Sequence, residues 1–143
     1  MNDRMVVDVS VVLTWVIHDE QDELANEVAR LYRTTDFVVP FLFRWEIASA
    51  LALSLRRKRC RRDDVVAYLE NLSGMPFQYD EISTKTAWSD TLELAIDHNL
   101  TVYDAAYLEL ARRESIPLAT LDAEMKKAAK AAGVKLFRLD TRK

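Results

Sequence analysis

The chain has 143 residues, half of them hydrophobic and 30% charged, with a net charge of −3 at neutral pH. That is the size of one domain able to bury about 70% of its unfolded surface, and the mixture excludes a disordered chain. Two glycines and three prolines exclude a collagen-like or low-complexity chain and argue against an all-β fold rich in turns, while the lone Cys60 excludes an internal disulfide or a cysteine-rich zinc site.

In chain order, Arg4-Met5-Val6-Val7-Asp8 reads as a short buried strand ending in a carboxylate. Residues 20–34 carry Leu24, Val28, Leu31 and Tyr32 at helical spacing. Phe37-Val38-Val39-Pro40 is a second strand, closed by proline. Residues 41–59 form an apolar helix that turns basic at its C-terminal end, where cations suit the helix dipole. Residues 61–73 form another helix, with Asp63 and Asp64 in its first turn and Gly74 as a stop. Phe77-Gln78-Tyr79 is a further strand candidate. Residues 84–98 place Trp88, Thr91, Leu92, Ala95 and Ile96 on one helical face, and a helix follows over 104–114. Residues 117–121 make a strand, residues 123–132 an alanine-rich helix stopped at Gly133, and residues 134–139 a last strand. Strands alternating with helices predict an α/β domain whose mainly parallel sheet is covered on both faces.

In such sheets ligands bind beyond the carboxyl ends of the strands, near a topological switch point. Asp8, Asp104 and Asp122 all fall where a strand or loop becomes a helix. Each has a plain structural use there as a helix N-cap. Glu46 lies inside the apolar helix, beside Leu42, Ser49, Ala50 and Leu53. A carboxylate in that setting is either paired or faces a polar cleft. Together the four suggest one acidic cluster at one end of the sheet. Clustered carboxylates repel one another, and a divalent cation relieves the repulsion. Oxygen-only ligation suits Mg²⁺ or Mn²⁺, the equipment of a metal-dependent phosphodiesterase.

These segments, Val7-Asp8-Val9-Ser10, Pro40 with Glu46-Ile47-Ala48-Ser49-Ala50-Leu51, Tyr103-Asp104-Ala105-Ala106-Tyr107-Leu108 and Leu118-Ala119-Thr120-Leu121-Asp122, resemble the PIN-domain ribonucleases. The likeness is greatest to the VapC toxins of toxin–antitoxin pairs and runs from about residue 4 to residue 137. It implies a single PIN domain over residues 1–143, with a parallel sheet of about five short strands sandwiched by helices. It implies an acidic quartet of Asp8, Glu46, Asp104 and Asp122 around Mg²⁺ or Mn²⁺, with Ser10 and Thr120 as supporting hydroxyls. It implies RNA cleavage, a homodimer, and inhibition by a small VapB-like antitoxin. One departure is Ser49, where many members carry asparagine.

Other features carry less. Arg56, Arg57, Lys58, Arg59, Arg61 and Arg62 form a basic run that suits RNA phosphates, an acidic antitoxin or plain solvent. Seven bases against one acid in the last 18 residues make a second basic region. Trp15, Trp45 and Trp88 are expected to pack in a core or interface rather than stack on bases, and His18 and His98 to lie at the surface. No signal peptide or membrane span is evident, so a cytoplasmic protein is expected. Two competing readings are a housekeeping PIN nuclease without an antitoxin and a receiver-like signalling module. The second wants a pair of acids after the first strand, where this chain has Asp8 alone.

Overall fold

The computed structural model describes residues 3–17 and 22–139. His18 lies outside them, and His98 is half-buried in the last turn of its helix. Strand β1 (Asp3–Val7) leads into α1 (Val9–Val16) and α2 (Glu23–Arg30), then β2 (Thr35–Pro40). Helices α3 (Phe43–Arg56) and α4 (Arg62–Ser73) precede β3 (Phe77–Asp80). The chain continues through α5 (Ser83–Thr86), α6 (Asp90–His98) and α7 (Val102–Glu114) to β4 (Leu118–Ala119) and α8 (Ala123–Ala131).

The sheet has the order β3-β2-β1-β4, and every pairing is parallel. Met5 pairs Phe37, Val6 pairs both Val38 and Leu118, and Phe37 pairs Phe77. From β1 the chain builds outward through β2 to β3, then returns to lay β4 on the other side. The order therefore reverses between β1 and β4, and that crevice is the switch point. Among the described residues the expected fifth strand is reduced to one parallel bridge between Leu118 and Leu136. The reason lies in β4, which offers only two residues, so its outer neighbour finds little ladder to extend.

Valines 6, 7, 11 and 12 with Phe37, Val39, Leu108 and Leu118 form the core. Burying each such side chain contributes about 1.5–3 kcal/mol. Helix α7 packs against β1, β2 and β4 and is buried without a break from Ala105 to Ala111. Its one charged residue inside that run, Glu109, is 2% exposed and is met by Arg113 at 2.7 Å. Arg113 also reaches Asp80 at 2.7 Å, which ties α7 to the end of edge strand β3.

The helix expected over 84–98 is two helices. Ser89 leaves helical conformation (φ −120°, ψ −103°), and the Thr86 and Thr91 hydroxyls bridge the break at 3.1 Å. The buried face is Thr91, Leu94 and Ala95, so Trp88, Leu92 and Ile96 face outward instead of sharing the core side. Core packing of tryptophan holds only for Trp15, whose indole N–H donates to the Ala25 carbonyl at 2.7 Å. Trp45 is 64% exposed and Trp88 93% exposed.

Candidate active site

Asp8 follows β1 directly and caps α1. Its Oδ1 accepts from Ser10 N at 3.0 Å, from Val11 N at 3.4 Å and from the Ser10 hydroxyl. Its Oδ2 accepts from the Thr120 hydroxyl just past β4. Both hydroxyls do double duty. Ser10 Oγ accepts from Leu121 N at 2.9 Å, and Thr120 Oγ1 from Asp122 N at 3.1 Å. The α1 N-terminus and the β4–α8 loop are thus bolted together through one carboxylate at the switch point. Asp8 is 5% exposed, and burial pushes its carboxyl up to about 6 despite the hydrogen bonds from Ser10, Thr120 and Val11.

Asp122 caps α8 through Oδ1, which accepts from Glu124 N at 2.8 Å and Met125 N at 3.3 Å. That leaves Oδ2 outside the cap, and the residue is exposed. Asp104 is not an N-cap. Thr101 caps α7 by accepting from Asp104 N at 3.1 Å, so the Asp104 side chain is released from that work. Burial and then the Asp122 charge hold the Asp104 carboxyl above the usual carboxylate range, against the Thr101 hydroxyl. Glu46 is half-buried in the first turn of α3. Its Oε1 accepts from the Tyr107 hydroxyl at 2.7 Å. Burial holds its carboxyl above the usual carboxylate range, the tyrosine hydrogen bond opposes this, and the Asp104 and Asp8 charges add to the rise. Tyr107 is itself buried, and burial plus the Glu46 charge keep its phenol protonated.

Asp8, Glu46, Asp104 and Asp122 therefore act on one another at the carboxyl edge of the sheet. Among the described residues, what acts on the first three is burial, hydrogen bonds and, for Glu46 and Asp104, the charge of their fellow acids. Ser10 and Thr120 stand against Asp8, and Ser49 is exposed on α3. Tyr107 and Thr101 are the contributors that residue types alone did not single out. The signal for Tyr107 was its position three residues after Asp104, on the same helical face.

The basic run is exposed apart from half-buried Cys60, and it spans the turn between α3 and α4. Arg59 lines a groove of about 390 Å³ with Ser10, Leu13, Thr14, Ile17, Leu121 and Asp122. One end of the basic turn therefore opens onto the acidic edge.

A PIN-domain family model matches residues 5–131. The chain belongs to the PIN-domain family. This PIN domain is 31% identical over 125 residues to ribonuclease VapC3 of Pyrobaculum aerophilum, a match covering 85% of this chain and 92% of that one. Its fold is shared with VapBC2 of Rickettsia felis, solved bound to a DNA fragment from its promoter, at a TM-score of 0.64 and 12% identity, over 94% of this chain and 97% of that one. It is shared too with the Mycobacterium tuberculosis toxin VapC20, described as cleaving the sarcin–ricin loop, at a TM-score of 0.59 and 18% identity, over 94% of this chain and 99% of that one. At those identities the two structures speak for the fold alone.

Among the described residues, no three His, Cys, Asp or Glu side chains close into a metal cage. The donor chemistry nonetheless fits Mg²⁺ or Mn²⁺. Mg²⁺ keeps several waters and is held by one or two carboxylates rather than by an all-protein cage. Burial raises Asp8, Glu46 and Asp104, and like charge adds to the rise of Glu46 and Asp104, a setting that suits a divalent counter-charge. Among the described residues no helix is long and apolar enough to cross a membrane.

Proposed function

We propose that this chain is one PIN domain acting as a Mg²⁺- or Mn²⁺-dependent endoribonuclease, the toxin of a toxin–antitoxin pair. The supporting observation is the mutual repulsion of Asp8, Glu46, Asp104 and Asp122 at the switch point of a parallel sheet. In this reading Asp8, Asp104 and Asp122 hold the ion, and Glu46 completes the set by ligation or by orienting the attacking water. Bound there, a divalent ion supplies a water of lowered pKa and positive charge beside the phosphoryl oxygens. Ser10 and Thr120 fix the direction of the Asp8 carboxylate, each donating its own O–H to it.

RNA is favoured as substrate by the ribonuclease name of VapC3. A small VapB-like antitoxin belongs to this reading through the likeness to VapC3. The groove from Asp122 to Arg59 and the basic turn beyond it offer a path for phosphates or for an acidic antitoxin tail. The reading includes a homodimer, which sedimentation equilibrium reads directly, and action in the cytoplasm.

The test is to induce the wild-type chain and Asp104→Asn in growing bacteria and to map new 5′ RNA ends. Growth arrest with discrete new ends for the wild type alone supports the reading. Full cleavage by purified Asp104→Asn overturns it. Calorimetric titration with Mn²⁺ is the second arm, and equal, negligible heats for both proteins overturn the metal site.

A further inference from the structure

Glu46 does no capping work, and no backbone amide is among the groups acting on its carboxylate. On α3, Phe43 and Ile47 beside it are buried while Arg44, Trp45, Ala48 and Ser49 are exposed, so Glu46 stands at the boundary between core and solvent. Solvent is therefore open to a side chain that Asp8 and Asp104 both repel. Left alone, a carboxylate so placed lowers its energy by swinging outward, away from its like-charged neighbours. Yet its Oε1 sits 2.7 Å from the Tyr107 hydroxyl, 61 positions along the chain. The tyrosine ring is 1% exposed and belongs to the core, so the hydroxyl has a fixed position.

We propose that Tyr107 is a positioning residue whose O–H clamps Glu46 inside the acidic site, an inference that rests on the nuclease reading above. Helix α7 carries Asp104 and Tyr107 three residues apart, so both project on one face. One rigid element thus places one acid directly and a second acid through the clamp. The distance between Asp104 and Glu46 is set by α7 and not by the side-chain freedom of α3. The clamp uses Oε1, and Oε2 is left to meet water or the ion.

Tyr107→Phe keeps the ring in its seat and removes only the hydroxyl. The variant is expected to unfold close to the wild-type temperature. Its turnover at saturating RNA falls about tenfold to a hundredfold, the usual cost of a small misplacement, while the KM for RNA is unchanged. Mn²⁺ affinity, measured by calorimetry without RNA, falls as well. In a Glu46→Ala background the same substitution changes neither quantity, since the group it positions is gone. The calorimetric arm reads this even where Glu46→Ala cleaves too slowly to follow. Wild-type turnover and Mn²⁺ affinity in Tyr107→Phe, or equal losses in both backgrounds, overturn the clamp. Asp104→Asn run in parallel separates the two levels. If it is inactive while Tyr107→Phe is fully active, only the clamp falls. If it cleaves fully, the nuclease reading falls and takes the clamp with it.

Discussion

Asp8 is a buried carboxylate that works against the fold that holds it. It ionises at about 6 in the folded protein, against an ordinary value of 3.8. Between those values the unfolded chain has already lost the proton that the folded chain keeps. Its contribution to stability is thus full below about pH 4 and is lost as pH rises through about 6, a difference of about 3 kcal/mol. Glu46 and Asp104, also raised, act in the same direction. Asp80 acts in the opposite one. Burial would raise it, but the Arg113 and Ser83 hydrogen bonds lower it, so its contribution is lost on acidification. Melting the protein in chelator from pH 4.5 to 7.5 should show Asp8→Asn more stable than wild type at the alkaline end, by several degrees, with the gap closing as pH falls. Parallel curves across the range would show that the Asp8 carboxylate is not the source of the slope.

At the scale of elements, α7 is the organising piece. It runs buried through the middle of the domain, carries Asp104 at its start and Tyr107 one turn on, and ends in the Arg113 link to Glu109 and Asp80. Arg113→Ala would strand two carboxylates, Glu109 and Asp80, whose side chains are 2% and 8% exposed. Removing one partner of such a buried pair costs about 3–5 kcal/mol, which chemical denaturation would read as a lowered midpoint. Much of this scale was legible in the sequence. Valine runs marked β1 and β2, apolar composition marked α3, an acidic first turn and Gly74 marked α4, and alanine richness with Gly133 marked α8. What was not legible arose from tertiary context. Apolar side chains at Trp88, Leu92 and Ile96 imitate a core-facing stripe, yet Thr91 and Leu94 take the inward side. The expected last strand ran short because its neighbour β4 has two residues, a fact local to another segment.

At the scale of the molecule, the parallel order β3-β2-β1-β4 turns four carboxylates scattered over 115 positions into one neighbourhood. The acids themselves were legible because Asp8 and Asp122 follow strands, Asp104 opens a helix after a loop and Glu46 interrupts an apolar helix. Their mutual orientation was not, because it depends on Tyr107 and Thr101, whose hydroxyls look like ordinary core and loop chemistry in the sequence. The charge layout belongs to this scale too. With the basic turn near an acidic edge, replacing exposed Arg57 and Arg62 by Gln should weaken RNA binding and flatten its salt dependence while leaving turnover at saturation near wild type. Filter binding across a salt series reads the slope, and an unchanged slope would remove the patch from the RNA path. The bolt between Asp8 and Thr120 spans 112 positions and sets an order of events as well as a geometry. While the chain is being synthesised, Asp8, Glu46 and Asp104 are all made before the segment that fixes the first of them. A ribosome-bound chain that has not yet released β4 has three of its acids and no assembled centre. The Asp8 carboxylate gains its second holding hydroxyl only once β4 and Thr120 have left the ribosome.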